Sequence, residues 1–137
     1  MGLVLDSSVL IAAERAEKPI SELLRQIEEQ HGETDIIVST VSVVELEHAL
    51  YRAKTPAQIQ RRRDYLEAIY AAIPLQPFTK EIGQLAAKID AEAKKNGTVI
   101  PFSDLLIGVT ALYFGYAIGT GNERHFKMIP DLKVISL

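Results

Sequence analysis

Three carboxylates in this chain, Asp6, Glu45 and Asp104, each stand near the start of a segment whose apolar residues recur at helical spacing. Asp6 ends the apolar run Gly2-Leu3-Val4-Leu5 and is followed by two hydroxyls, Ser7 and Ser8. Each acid has a structural explanation of its own. Ser42-x-x-Glu45 matches a capping box, in which Glu45 would bond back to its own helix start. Asp104, after Ser103, could complement the dipole of a first helical turn. Asp6 could close a strand in a turn. As a group they point to something else. If the strands run parallel, the helix starts that follow them share one sheet edge, where ligands bind. Carboxylates gathered there repel one another unless a cation or a proton neutralises them. A hard oxygen donor set fits Mg²⁺ or Mn²⁺, ions that keep waters and so leave room for a phosphate. Thr120 and Asn122 fall close to the same edge, and Ser8 beside Asp6 is a supporting hydroxyl.

The elements needed to position these groups can be read from the apolar pattern. Leu3-Val4-Leu5 and Asp35-Ile36-Ile37-Val38-Ser39 are short apolar runs without strict alternation, as expected of parallel strands covered on both faces. Helices are expected over 7–16 and 20–31, from Ser42 to about Ala53, from Thr55-Pro56 to about Ile73, and over 79–95. Ile59, Leu66, Ile69 and Ile73 are expected to face inward from the fourth of these. Residues 101–116 are apolar on nearly every side and read as a buried central helix. Short extended pieces fall at 75–78, 116–120 and 133–137, with a helical turn between Gly121 and Met128. Strands alternating with helices give an α/β fold: a mainly parallel central sheet of about five strands flanked by helices. No linker or repeat interrupts the chain, so residues 1–137 read as a single domain.

Composition narrows the class. Hydrophobic residues make up 47% and charged residues 24%, a globular profile. No apolar run nears the ~20 residues of a membrane span, no leader pattern opens the chain, and no Cys is present for disulfides or thiolate metal sites. A cytoplasmic location is the expectation. The net charge is -3, but its distribution is uneven: residues 1–50 carry three basic and ten acidic side chains, residues 51–137 twelve and eight. Arg52, Lys54, Arg61, Arg62 and Arg63 form a basic stretch with no acid among them. Such a stretch can bind phosphate or can be a solvated helix face.

The acids lie inside four segments that together resemble a known family. Val4-Leu5-Asp6-Ser7-Ser8-Val9-Leu10-Ile11 is similar to the opening of a PIN-domain ribonuclease. Val41-Ser42-Val43-Val44-Glu45-Leu46 resembles its second motif, Phe102-Ser103-Asp104-Leu105-Leu106-Ile107 its third, and Gly119-Thr120-Gly121-Asn122-Glu123-Arg124-His125-Phe126 its fourth. Order, spacing and length resemble the toxin of bacterial Vap-type (type II) toxin–antitoxin pairs. The resemblance implies a PIN-like fold and a Mg²⁺- or Mn²⁺-dependent endoribonuclease, forming a homodimer and inhibited by a cognate antitoxin protein. Asp6, Glu45 and Asp104 would be its catalytic acids, with Asn122 as a fourth, weaker metal residue where many relatives carry Asp. Thr120 and Ser8 would support them. The neighbouring acid Glu123 is a poor substitute for that Asp, because adjacent residues need not point the same way.

The chemistry expected is hydrolysis of an RNA phosphodiester by a metal-activated water, leaving a 5′-phosphate and a 3′-hydroxyl. One metal or two is open. RNA would meet Arg52, Lys54 and Arg61–Arg63, with Lys94, Lys95 and Arg124 as lesser candidates, and exposed loops are the accessible targets. The antitoxin is expected to lay an apolar segment in a groove between helices, with residues 20–31 and 41–53 as the candidate walls. A metal-free ribonuclease would need histidines. His31, His48 and His125 show no linking spacing and read as surface or capping residues, His125 merely as the neighbour of a core Phe126. The alternative from another class is a catalytically inactive PIN-fold module that binds RNA or protein, for which Asn122 would be the marker.

Overall fold

A computed structural model describes residues 2–137. Five strands form one all-parallel sheet in the order β3-β2-β1-β4-β5. They are β1 (Gly2–Leu5), β2 (Asp35–Ser39), β3 (Leu75–Gln76), β4 (Ala117–Thr120) and β5 (Val134–Ser136). Seven helices connect and cover them: α1 (Ser7–Arg15), α2 (Ile20–His31), α3 (Thr40–Tyr51), α4 (Pro56–Ala72), α5 (Lys80–Lys95), α6 (Phe102–Phe114) and α7 (Glu123–Phe126).

The central strand explains the layering. Successive side chains of β1 point to opposite faces. Leu3 and Leu5 join a core with Leu10, Leu46, Leu66 and Ile69, from α1, α3 and α4. Val4 joins the other, with Ile82 and Ile89 of α5, Ile107 of α6 and Phe126 of α7. A strand buried on both sides needs apolar residues at every position, which is why its sequence shows no alternation.

The helix ends follow local chemistry. Thr55 and Thr79 cap α4 and α5 by accepting from the backbone N–H of Gln58 and Ile82. At α3 the cap is Ser39, whose hydroxyl accepts from Val41 N, so the helix starts before Ser42 and the capping box does not form. The hydroxyl of Ser42 is buried instead. Gly115, at φ 68°, closes α6 in the left-handed conformation that only Gly adopts cheaply. The middle of α6 is buried as expected from 105 to 111, but both ends emerge: Phe102 is 72% exposed and Tyr113 45%. Ile59 also departs from expectation. It is exposed, because the first turn of α4 projects beyond the core that Leu66 and Ile69 enter.

Candidate metal and active site

The carboxyl ends of β1 and β4 and the amino ends of α1, α3 and α6 meet at one edge of the sheet. The amide of Asp6 donates to Gly119 O at 2.9 Å, continuing the β1–β4 pairing one residue past the strand. That bond fixes the Asp6 backbone at the edge, where its side chain is buried to 3% exposure. Two hydroxyls converge on a single oxygen: Ser8 Oγ donates to Asp6 Oδ2 at 2.7 Å and Thr120 Oγ1 at 2.9 Å. Asp6 Oδ1 takes neither. The hydroxyls are themselves held, since Gly121 N donates to Ser8 Oγ at 3.1 Å and Asn122 N to Thr120 Oγ1 at 2.8 Å. Ser8 and Thr120 thus both meet Asp6, and through their hydroxyls the last segment of the chain reaches the first.

Glu45 lies on α3, one turn in from its start, and Asp104 in the first turn of α6. Ser103 Oγ donates to Glu45 Oε1 at 3.1 Å, linking the two helices at the edge. The Glu45 carboxyl is pushed above its ordinary value, mainly by burial. The charges of Asp6 and Asp104 push it the same way, and hydrogen bonds from Ser103 and Ser7 partly offset them. Asp104 is raised as well, by burial first, with a hydrogen bond from His125 opposing and the charge of Asp6 adding. Asp6 therefore acts on both other acids, and the three form one electrostatic group. Their side-chain partners are hydroxyls and a histidine, which steady the carboxylates. His125 Nδ1 lies 2.7 Å from Asp104 Oδ2, and the Asn122 amide stands 3.0 Å from the same ring nitrogen.

This donor set fits a divalent cation of the Mg²⁺ type. It offers oxygen only, it carries negative charge that burial makes costly, and one oxygen each of Asp6 and Asp104 lies outside the side-chain bonds just described. Among the described residues no three Asp, Glu, His or Cys side chains close into a ready-made cage. Mg²⁺ does not require one, because it is ordinarily held by one or two carboxylates with waters and substrate phosphate completing the shell.

Two residues with functional contacts escaped the sequence reading. Ser103 and His125 lie beside recognised acids, but their bonds cross 58 and 21 positions of sequence. A hydroxyl next to Asp104 and a histidine three residues after Asn122 were the available signals.

The basic stretch divides in two. Arg62 Nη1 donates to Ala49 O at 2.6 Å and its Nε lies 3.9 Å from Glu14; Arg63 Nη1 is 3.4 Å from Glu47. These two tie α4 to α3 and α1. Arg52, Lys54 and Arg61 are exposed. Lys94 pairs with Asp90 at 3.0 Å. The expected groove between residues 20–31 and 41–53 is not the one that forms, because α4 packs against both helices. A cleft of about 250 Å³ opens instead between α1, α3 and α4, lined by Leu10, Leu46 and Ile69 together with Arg15, Arg52 and Arg62. No helix among the described residues is long and apolar enough to cross a membrane.

Comparison with known proteins agrees with this geometry. The PIN domain family matches residues 3–132. Ribonuclease VapC of Rickettsia bellii is 29% identical over 137 residues, covering 100% of this chain and 97% of the relative. Ribonuclease VapC1 of Methanocaldococcus jannaschii is 27% identical over 107 residues, 78% of this chain and 71% of the relative. In fold, the chain is similar to VapBC2 from Rickettsia felis, solved bound to a DNA fragment from its promoter. The TM-score is 0.84 at 18% identity, covering 100% and 99% of the two chains. VapBC-1 from nontypeable Haemophilus influenzae gives 0.82 at 18% identity, over 99% and 98%.

Proposed function

Because this chain belongs to the PIN-domain family, we propose that it is a Mg²⁺- or Mn²⁺-dependent endoribonuclease, the toxin of a toxin–antitoxin pair. The observation that carries the reading is the coupling of Asp6, Glu45 and Asp104 at one sheet edge, where burial and mutual repulsion raise two of the three. The names of the curated relatives support the ribonuclease activity, and the VapBC assemblies that share the fold support an antitoxin partner.

Asp6, Glu45 and Asp104 would hold the metal. When bound, the ion supplies Lewis acidity toward the scissile phosphate and water activated for attack. The chain's own residues do the rest. Ser8 and Thr120 anchor Asp6 through Oδ2. Ser103 does the same for Glu45. Asp104, held at Oδ2 by His125, would keep its other oxygen for the metal and so help to orient the attacking water. Arg52, Lys54 and Arg61 meet the RNA backbone. The cleft between α1, α3 and α4 seats an apolar segment of the antitoxin. A homodimer working in the cytoplasm completes the proposal.

The test is RNA cleavage by the purified chain, free of partner, in Mg²⁺ or Mn²⁺, with EDTA and Asp104→Asn as controls. Cleavage lost in both controls, leaving 5′-phosphate and 3′-hydroxyl ends, is expected. Cleavage that survives EDTA, or ends carrying a 2′,3′-cyclic phosphate, would refute the metal-dependent mechanism. Metal binding without cleavage of any RNA would favour an inactive binding module.

A further inference from the structure

Resting on the metal-dependent reading, we infer that His125 is a positioning residue for Asp104: its Nδ1 holds one carboxylate oxygen and the other oxygen is left for the cation. The contact is short, 2.7 Å from Nδ1 to Asp104 Oδ2, and both side chains are mostly covered, 24% and 15% exposed. A ring nitrogen that donates to a carboxylate fixes the tautomer and the ring plane.

The backbone is arranged to make this contact. α7 is one turn long and is anchored by Phe126, which is fully buried. Phe126 packs against α6 at Gly108, one turn past Asp104, where an added Cβ would meet Ile129 and stand 3.1 Å from the Phe126 ring. The close approach of α6 and α7 is what delivers His125 to Asp104. From the same segment Asn122 donates its N–H to Thr120, and Thr120 donates to Asp6. The segment after β4 is thus tied to Asp6 through Thr120 and to Asp104 through His125.

The physical benefit is preorganisation. An Asp in a first helical turn can rotate about two torsions, and ion capture would have to freeze both. Asp6 is held by two hydroxyls and Glu45 by Ser103; Asp104 has His125 in the equivalent place. Removing a donor that orients a ligating carboxylate typically costs about 10–100-fold in metal affinity.

The experiment measures Mn²⁺ binding to the full chain without RNA, by the electron paramagnetic resonance signal of free Mn²⁺, in the wild type, His125→Ala, His125→Asn and His125→Gln. Far-UV circular dichroism and Tm in EDTA report folding. The wild type should bind, and His125→Ala should bind about 10–100-fold more weakly. His125→Asn places an amide nitrogen where Nδ1 was and should recover most of the affinity, whereas His125→Gln extends toward the Nε2 position and should not. Should His125→Ala not fold, the Asn and Gln variants carry the comparison. Wild-type binding with His125→Ala unchanged would overturn the positioning role alone, as would an Asn variant no better than Gln. Cleavage that stays lost in His125→Ala at saturating Mn²⁺ would also overturn it, because the histidine would then act in the reaction itself. A wild type that binds no Mn²⁺ would overturn the metal reading and this inference together.

Discussion

Thr120 gives the sharpest test of how the site is built, because its two roles separate cleanly by substitution. The side chain is fully buried, donates to Asp6 Oδ2 at 2.9 Å and accepts from Asn122 N at 2.8 Å. Thr120→Val keeps the shape and removes the hydroxyl. Losing a hydrogen bond to a charged group costs roughly 1.5–3 kcal/mol. The released N–H of Asn122 adds less, since that residue is exposed and water can replace the acceptor. Ser8 continues to donate to the same oxygen at 2.7 Å, which softens the loss. The net is about 2–3 kcal/mol, a fall in Tm on the order of 10 °C. Thr120→Ser keeps the hydroxyl and loses one methyl, at about 1 kcal/mol. The assay is urea unfolding in EDTA at pH 7, followed by circular dichroism, for the three proteins. If burial of apolar surface dominated, Ser would be the worse substitution. The hydrogen-bond account requires Val to be worse, so a Ser variant less stable than Val would refute it.

Two further outcomes follow from the same geometry. Asp104 and Glu45 are raised chiefly by burial, so the folded chain keeps protons there that the unfolded chain has released. Where the folded state binds more protons, stability falls as pH rises. The metal-free protein should therefore lose stability as pH climbs from the ordinary carboxylate range through the raised values, with the whole cost present above them. Asp104→Asn should flatten that decline and raise Tm in EDTA at pH 7; a variant less stable than wild type there would contradict the electrostatic picture. Gly108→Ala inserts a methyl against Ile129, Phe126 and Leu132. Overpacking costs typically 1–3 kcal/mol, and about 1 kcal/mol of helix propensity offsets it. A net loss of about 0–2 kcal/mol with weaker Mn²⁺ binding is expected, and unchanged Mn²⁺ binding would show that the α6–α7 approach does not govern the site.

The fold was legible because its signals are local. β1 and β2 announce themselves as short apolar runs, and every described helix start carries a cap, a proline or a strand end, that of α3 two residues before the expected Ser42. Two misreadings have physical causes. Ile59 fits the apolar stripe of α4, but a stripe says nothing about where the neighbouring core ends. The groove expected between α2 and α3 required them to be direct neighbours, and α4, which follows both in sequence, packs against each of them.

The site was legible only in its acids. A carboxylate beside a strand end is visible in one dimension, whereas the donor that holds it arrives from elsewhere in the chain. Ser42-x-x-Glu45 shows how local logic misleads. The spacing satisfies a capping box, yet Ser39 already accepts from Val41 N, and Glu45 turns to Ser103 instead. Had the box formed, Glu45 would have been bound to its own backbone and lost to the edge. That the chain caps α3 one turn earlier leaves a half-buried carboxylate without a partner in its own first turn, a cost that the Ser103 and Ser7 hydroxyls offset only in part. The same holds for Asp104, whose histidine partner opposes its shift without cancelling it. Residues that raise one another in this way lower the stability of the metal-free fold, and the proposed cation would reverse the sign.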